Sequence, residues 1–177
     1  MTRPRSVPRL RREDGYTLVE LLIVMVVLGT IIGALTVLFV NASKAEVEMS
    51  RRFQAQQDAR VAVDKMKREI HCSDQISPTG VSFSITVRLP AQCPTAGGAV
   101  TNVTYDVVGS GQRFQLRRNT VVLADYVTEQ NAFNYTAPVT GTSLGKLKIT
   151  LPINITPSDT VKEWRLEADA VLRNTTR

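Results

Sequence analysis

The sequence predicts an α+β protein in which one long N-terminal α-helix packs on an antiparallel β-sheet. Three observations predict this fold. Residues 21–40 form an uncharged apolar run. Residues 44–70 contain no Gly or Pro and repeat apolar side chains at steps of three or four, a spacing typical of one helix face. After Cys72, apolar and polar residues alternate, as they do in half-buried strands. The first half of the helix is therefore apolar and the second half amphipathic.

The composition of the 177-residue chain excludes several classes of protein. With 43% hydrophobic and 21% charged residues, it is not a disordered chain. Two cysteines are too few for a disulfide-rich miniprotein, and one histidine, His71, argues against a multi-histidine metal site. Half of the net charge of +6 lies in residues 1–15, where five arginines oppose two acidic side chains to give +3. The basic character therefore belongs largely to a short arginine arm.

The apolar run from Leu21 to Val40 is long enough to cross a membrane. At about 1.5 Å per residue it covers roughly 30 Å, the thickness of the hydrocarbon core. A buried core helix is the alternative, but the rest of the chain is small for covering such a helix on every side. The positive-inside rule puts the arginine arm in the cytoplasm and the bulk of the chain outside. The run is then an uncleaved anchor, a signal peptide cut after Ala42, or a span behind a processed leader.

Glu20 lies directly before this run, where a charge at membrane depth is costly. It either rests among the lipid headgroups or has a cationic partner. A cut after Gly15 would create an amine on Tyr16, one helical turn from Glu20. That amine, on the same subunit or a neighbouring one, would neutralise the carboxylate.

The segment GYTLVELLIVMVVLGTIIGAL, residues 15–35, and the arm before it resemble the N-terminal signal of type IV prepilins. That signal is a basic leader ending in Gly, then an aromatic residue, Thr-Leu-x-Glu and an apolar helix. Tyr16 stands where the family usually has Phe, and the apolar helix lacks the Pro of many major pilins. The resemblance implies that prepilin peptidase cuts the Gly15–Tyr16 bond and methylates the new N-terminus. It also implies that Glu20 guides insertion into a growing fibre.

The resemblance and the hydropathy pattern together predict three segments. These are a basic leader (1–15), a transmembrane and assembly half of the long helix (16–43) and an extracytoplasmic pilin-like domain (44–177). The helix is expected to run from Tyr16 to Ile70.

The second half of the helix carries an apolar stripe at Ala55, Ala59, Val63, Met66 and Ile70, which we expect Met49 and Phe53 to extend. The stripe predicts packing on the sheet. A basic helix that binds anionic lipid or nucleic acid is the alternative. Acidic residues on the same helix, Glu69 among them, dilute that positive charge.

Strands are expected at residues 81–89, 101–118 (a hairpin), from 121 onwards, 147–155 and 164–172. Pro152 indicates that the strand at 147–155 lies at a sheet edge or contains a bulge, because proline has no N–H to donate to a neighbouring strand. The segment Phe133-Asn134-Tyr135 and the ending Leu172-Arg173-Asn174 resemble the larger minor pilins and pseudopilins of the J or W type.

Few side chains are candidates for chemistry. Cys72 and Cys93 both fall outside the membrane, so we expect a disulfide rather than two free thiols. Three arginines offer a small basic patch for phosphate contacts, or simply a solvated strand face: Arg113, Arg117 and Arg118. No nucleophile motif, phosphate loop or metal-ligand cluster stands out, and we expect no catalytic residue, metal or cofactor.

The function predicted is that of a minor type IV pilin or type II secretion pseudopilin, a structural subunit and not an enzyme. Its expected partners are prepilin peptidase, other pilin subunits, an inner-membrane assembly platform and membrane lipid, with nucleic acid only weakly supported. It would be stored in the cytoplasmic membrane with its N-terminus in the cytoplasm, and then enter a periplasmic or cell-surface filament. The alternative is a secreted or membrane-tethered binding module, for DNA uptake or adhesion, that joins no filament.

Overall fold

The computed structural model of the chain describes residues 15–173. The expected leader, apart from Gly15, and Asn174 lie outside the described residues. Within them, α1 runs from Leu18 to Cys72 over 55 residues, so it begins and ends two residues later than predicted. The chain divides into two compact units between Val47 and Glu48. The described part of the first unit, 15–47, is the apolar half of α1 with the residues that lead into it.

The second unit packs the remainder of α1 against a curled antiparallel sheet, which confirms the predicted α+β architecture. The strands are β1 Gln75–Ser77, β2 Gly80–Ser82, β3 Ser84–Leu89, β4 Thr101–Ser110, β5 Arg113–Arg118, β6 Val121–Val127, β7 Phe133–Thr136, β8 Lys146–Ile153 and β9 Trp164–Val171. Neighbouring strands pair in the order β1-β3-β4-β5-β6-β8-β7-β2. β6 and β7 share one side of β8, and β9 pairs with its other side. The predicted 101–118 hairpin is confirmed as β4 and β5.

The apolar stripe of α1 is buried against the inner face of the sheet. Ala59, Met66 and Ile70 have no exposed surface, and Ala55 and Val63 are also buried. On the sheet side the core contains alternating residues of the strands, Val103, Tyr105, Val107, Leu147, Ile149 and Leu151 among them. The face predicted from the helical period is therefore the face that packs.

The predicted extension of this stripe is wrong. Met49 and Phe53 are 73% and 67% exposed. At 100° per residue, Phe53 points about 160° away from Ala55 around the helix axis. The two residues lie on a different face from the stripe, so burial begins at Ala55.

The single strand predicted at residues 81–89 is two strands. β2 pairs with β7, whereas β3 pairs with β4 and β1. The break has a local cause at Ser82, whose hydroxyl accepts the Ser84 N–H at 3.1 Å and donates to the Ser84 carbonyl at 2.6 Å. This side chain replaces a ladder partner and lets the two halves take different neighbours.

Pro152 does not place β8 at an edge. On one side, β8 pairs with β9 along its whole length. On the other side, its first half pairs with β7 and its last residue, Ile153, pairs with β6. The N–H groups of Thr150 and Asn154 donate to the β6–β7 side, to Ala132 O and Tyr126 O. Alternation puts the missing N–H of Pro152 on that same side, where the partner of β8 changes from β7 to β6. An interior strand therefore tolerates proline, because no regular ladder bond is needed there.

Candidate functional site

The start of α1 is capped by a side chain. Residues 15–17 are not helical, and Thr17 Oγ1 accepts the backbone N–H of Glu20 at 3.3 Å while Thr17 O accepts the N–H of Leu21 at 3.2 Å. Thr followed three residues later by Glu is the spacing of a capping box, in which the hydroxyl satisfies an N–H that the first helical turn leaves unpaired. This capping role of Thr17 is absent from the sequence prediction, although the Thr-x-x-Glu spacing was available to find it.

The cap leaves the candidate scissile bond outside the helix. The bond between Gly15 and Tyr16 lies in exposed backbone, and Tyr16 is 80% exposed. Backbone that is exposed and not tied into a helix is the kind that proteases reach. A Cβ added at Gly15 would meet nothing within 4 Å, so the fold itself makes no demand for glycine there.

Glu20 is exposed in the first turn of α1. Within residues 15–173 its carboxylate has neither an ion-pair nor a side-chain hydrogen-bond partner. An acidic side chain in the first turn is favoured by the positive end of the helix dipole. The pairing expected with an amine on Tyr16 stays a prediction, since Gly15 and Tyr16 are still joined in the chain described.

The apolar half of α1 is long and apolar enough to cross a membrane, and none of its most apolar 18-residue window is buried. The large side chains between Leu21 and Val40 are 43–75% exposed. The interpretation as a buried core helix is therefore wrong for the described chain.

The polar groups inside this apolar segment are satisfied by the helix itself. The hydroxyls of Thr30 and Thr36 donate to Val27 O and Ile32 O, each at 2.8 Å. Such bonds matter in lipid, where an unpaired polar group has no water to bind. Gly29 and Gly33 have open space where a Cβ would stand, which leaves the helix backbone approachable at those two positions.

A family model described as the prokaryotic N-terminal methylation motif matches residues 10–36. The N-terminal segment is a type IV prepilin-like signal. The match spans the predicted cut, Glu20 and most of the apolar run, and it supports a pilin-like substrate of prepilin peptidase. No curated protein and no solved structure gave a match to the chain.

Behind the prepilin-like signal, the structure joins Cys72 to Cys93 by a disulfide, with 5.9 Å between their Cα atoms. Cys72 is the last residue of α1, and Cys93 lies in the loop between β3 and β4. The predicted pairing therefore ties the end of the helix to the sheet. His71 serves the same junction, because its Nδ1–H donates to Val171 O in β9 at 2.8 Å. Residues 15–173 contain no cluster of three or more His, Cys, Asp or Glu side chains placed to hold a metal ion.

The three arginines considered as a phosphate-binding patch are each paired with a carboxylate. Arg113 contacts Asp125 at 2.6 Å, Arg117 contacts Asp106 at 2.6 Å, and Arg118 contacts Glu69 at 3.0 Å. Their positive charge is therefore compensated within the sheet and the helix. The interpretation as a free basic patch is wrong.

Glu69 has a structural role that the sequence prediction lacks. In the sequence it counts only among the acids that dilute the positive charge of α1, but Glu69 is 1% exposed. Its carboxylate accepts the Tyr105 hydroxyl at 2.7 Å and the Arg118 Nε at 3.2 Å. We call these three residues the Glu69 triad. Burial, together with the bond to this carboxylate, raises the pKa of Tyr105 well above its ordinary value.

Proposed function

We propose that the protein is a minor pilin or pseudopilin, a structural subunit that is stored in the cytoplasmic membrane and assembled into a filament. The observation that carries the proposal is the methylation-motif match at residues 10–36, together with the helix that it overlaps, whose apolar side chains are unburied. A surface of that kind requires lipid or other helices around it. Storage in a membrane and packing in a fibre supply these in turn.

In this proposal the leader, residues 1–15, faces the cytoplasm and is removed at the Gly15–Tyr16 bond. The helix from Leu21 to Val40 holds the subunit in the bilayer. Residues 44–177 lie on the extracytoplasmic side of the membrane. The capped helix start supports this mechanism, because it keeps the bond exposed while the apolar helix is already formed.

Glu20 would then be the assembly residue. Its unpaired carboxylate stands at the polar end of the span, so the new amine of a mature subunit can neutralise it as the helix leaves the lipid. The open approach at Gly29 and Gly33 supports close helix-to-helix packing in the filament.

The experiment that tests processing is the intact mass and N-terminal residue of the protein recovered from membranes of its native host. We expect a chain that begins at methylated Tyr16. A chain beginning at Ser43 would instead support the secreted binding module, and an intact arginine arm would support a fixed anchor. Either result would refute the filament proposal.

Gly15→Ala separates recognition by the peptidase from folding. An added methyl at Gly15 meets no atom beyond the adjoining chain within 4 Å, and the same is true at Gly29. We therefore expect Gly15→Ala to leave the arm attached and Gly29→Ala to be processed normally, both measured by mass. Normal processing of Gly15→Ala would contradict the proposed cut.

Glu20→Gln tests assembly without disturbing the helix start, because the hydrogen bond to Thr17 uses the backbone N–H of residue 20 and not its side chain. We expect the variant to be cut normally but to be depleted from sheared filaments relative to membranes. Unchanged incorporation would remove the charge-pairing role.

A further inference from the structure

A groove of about 390 Å³ lies where the end of α1 meets the loop between β3 and β4. Its walls are Lys65, Arg68 and Cys72 on the helix side, and Pro94 and Thr95 on the loop side, with Glu69 also lining it. The volume is within the range of concave sites that accept one or a few chemical groups. Neither the prepilin-like signal nor the proposed assembly mechanism uses this groove.

The groove keeps a positive charge after its internal pairing is counted. Glu69 is already compensated by Arg118 at 3.0 Å. Lys65 and Arg68 have no ion-pair or side-chain hydrogen-bond partner within residues 15–173. The three cations Lys65, Arg68 and Arg118 against the Glu69 carboxylate leave a net charge of +2 around the groove. Lys65 and Arg68 are three residues apart on α1, so both stand on one side of the helix.

The wall opposite the helix is preorganised. The Ala96 N–H donates to Cys93 O at 2.9 Å, which closes a turn with Pro94 and Thr95 at its two central positions. The disulfide to Cys72 fixes this turn against the end of α1. An entering group therefore meets a wall already in place, which lowers the ordering cost of binding.

We propose that this groove binds a carboxylate of an acidic protein segment, held between Lys65 and Arg68. An apolar side chain beside that carboxylate would lie on Pro94 and on the disulfide. A guanidinium and an ammonium at this spacing suit a carboxylate, and Arg68 can contact both of its oxygens.

Nucleic acid fits the same residues less well. A duplex is held by a row of phosphate contacts along a surface, whereas this site is concave and has two uncompensated cations. About two turns before Lys65, the exposed side of α1 carries Asp58, which has no ion-pair partner among the described residues and would repel the phosphate backbone. The arginines of β5 are already paired.

The test uses the full chain in a nonionic detergent and a fluorescent, terminally blocked peptide of alternating leucine and glutamate. Binding is followed by fluorescence anisotropy. We expect saturable binding that weakens as ionic strength rises from about 0.05 M to about 0.5 M. The same peptide with glutamine in place of glutamate should bind at least about tenfold more weakly.

The variants locate the site. Lys65→Gln combined with Arg68→Gln should weaken binding about tenfold or more. Arg51→Gln is the matched control, because it removes an exposed and unpaired cation from an earlier turn of α1, and it should bind as the original chain does. Emission from Trp164 checks that each variant is folded.

Three outcomes would overturn the proposal. The first is that the peptide shows no saturable binding. The second is that the Arg51 control loses as much peptide affinity as the double variant. The third is that a DNA duplex binds the same cations more tightly than the peptide does. None of these measurements involves cleavage or filament assembly, so their failure leaves the proposed function untouched.

Discussion

Replacing Glu69 by glutamine tests whether the Glu69 triad holds α1 on the sheet. The substitution keeps the shape of the side chain but leaves the Arg118 guanidinium, 20% exposed, without its counter-charge. Breaking a buried pair from one side costs about 3–5 kcal/mol. The partial exposure of Arg118, and an amide oxygen that still accepts the Tyr105 hydroxyl, favour the lower end. We expect a loss of about 3 kcal/mol.

The measurement is urea unfolding of the full chain in nonionic detergent, followed by the emission of Trp164, the one tryptophan of the chain. Trp164 is a suitable reporter because it begins β9 and its ring lies 5.3 Å from the Arg60 guanidinium of α1. With a slope near 2 kcal/mol per molar urea, the midpoint for Glu69→Gln should fall by about 1.5 M.

The matched control is Asp169→Asn. It breaks the Lys146–Asp169 contact of 2.8 Å, whose two side chains are about half exposed, and we expect no measurable shift in the midpoint. A Glu69→Gln shift no larger than that of the control would refute the reasoning, because it would mean that burial adds nothing to the pair.

Tyr105→Phe examines the third member of the triad. It removes the 2.7 Å hydrogen bond to a charged acceptor and should cost about 2 kcal/mol. Because the pKa of Tyr105 is raised in the folded protein, the unfolded chain loses its phenolic proton first. Stability should therefore fall as the pH rises above about 10, and this fall should be weaker in Tyr105→Phe.

Three further predictions concern other parts of the second unit. Replacing Cys72 and Cys93 by serine opens a loop of 21 residues and should cost about 3 kcal/mol in the same urea assay; an unchanged midpoint would contradict it. Gly109→Ala should lower the free energy of unfolding by about 1–3 kcal/mol, because a Cβ there would meet the backbone of Arg113. A soluble variant with the same urea midpoint as the original chain would refute this. Burial raises the pKa of Asp125, but the Arg113 bond and a backbone N–H outweigh it, so the net pKa is lowered and stability is lost as the pH falls below about 4. Asp125→Asn should reduce this loss of stability at acid pH.

The parts of the fold that follow a local period could be predicted from the sequence. The helix stripe from Ala55 to Ile70 and the alternation in β3, β4, β8 and β9 are each visible within one element, because one face of each element is buried or, in β9, partly buried. The disulfide followed from topology. The prepilin-like signal was readable because its features lie together in one stretch of about 30 residues.

The parts that depend on distant partners could not be predicted. Glu69 follows Met66 by three residues and so stands at the border of the stripe, but its partners lie 36 and 49 residues further along the chain. Nothing local distinguishes it from the solvated acids beside it. In the same way, the tolerance for Pro152 depends on where β7 gives way to β6, which is a property of the assembled sheet.

The link between Cys72 and Cys93 has a mechanical consequence. In the proposed filament, tension would pull each subunit through its helix, and any strand that peels away would lengthen the chain. The 21 residues that follow Cys72 up to Cys93 would release roughly 70 Å of extension at about 3.3–3.6 Å per residue. With the covalent bond in place, force passes directly from the helix end to the loop at Cys93, and this length stays locked even if β1, β2 and β3 lose their pairing.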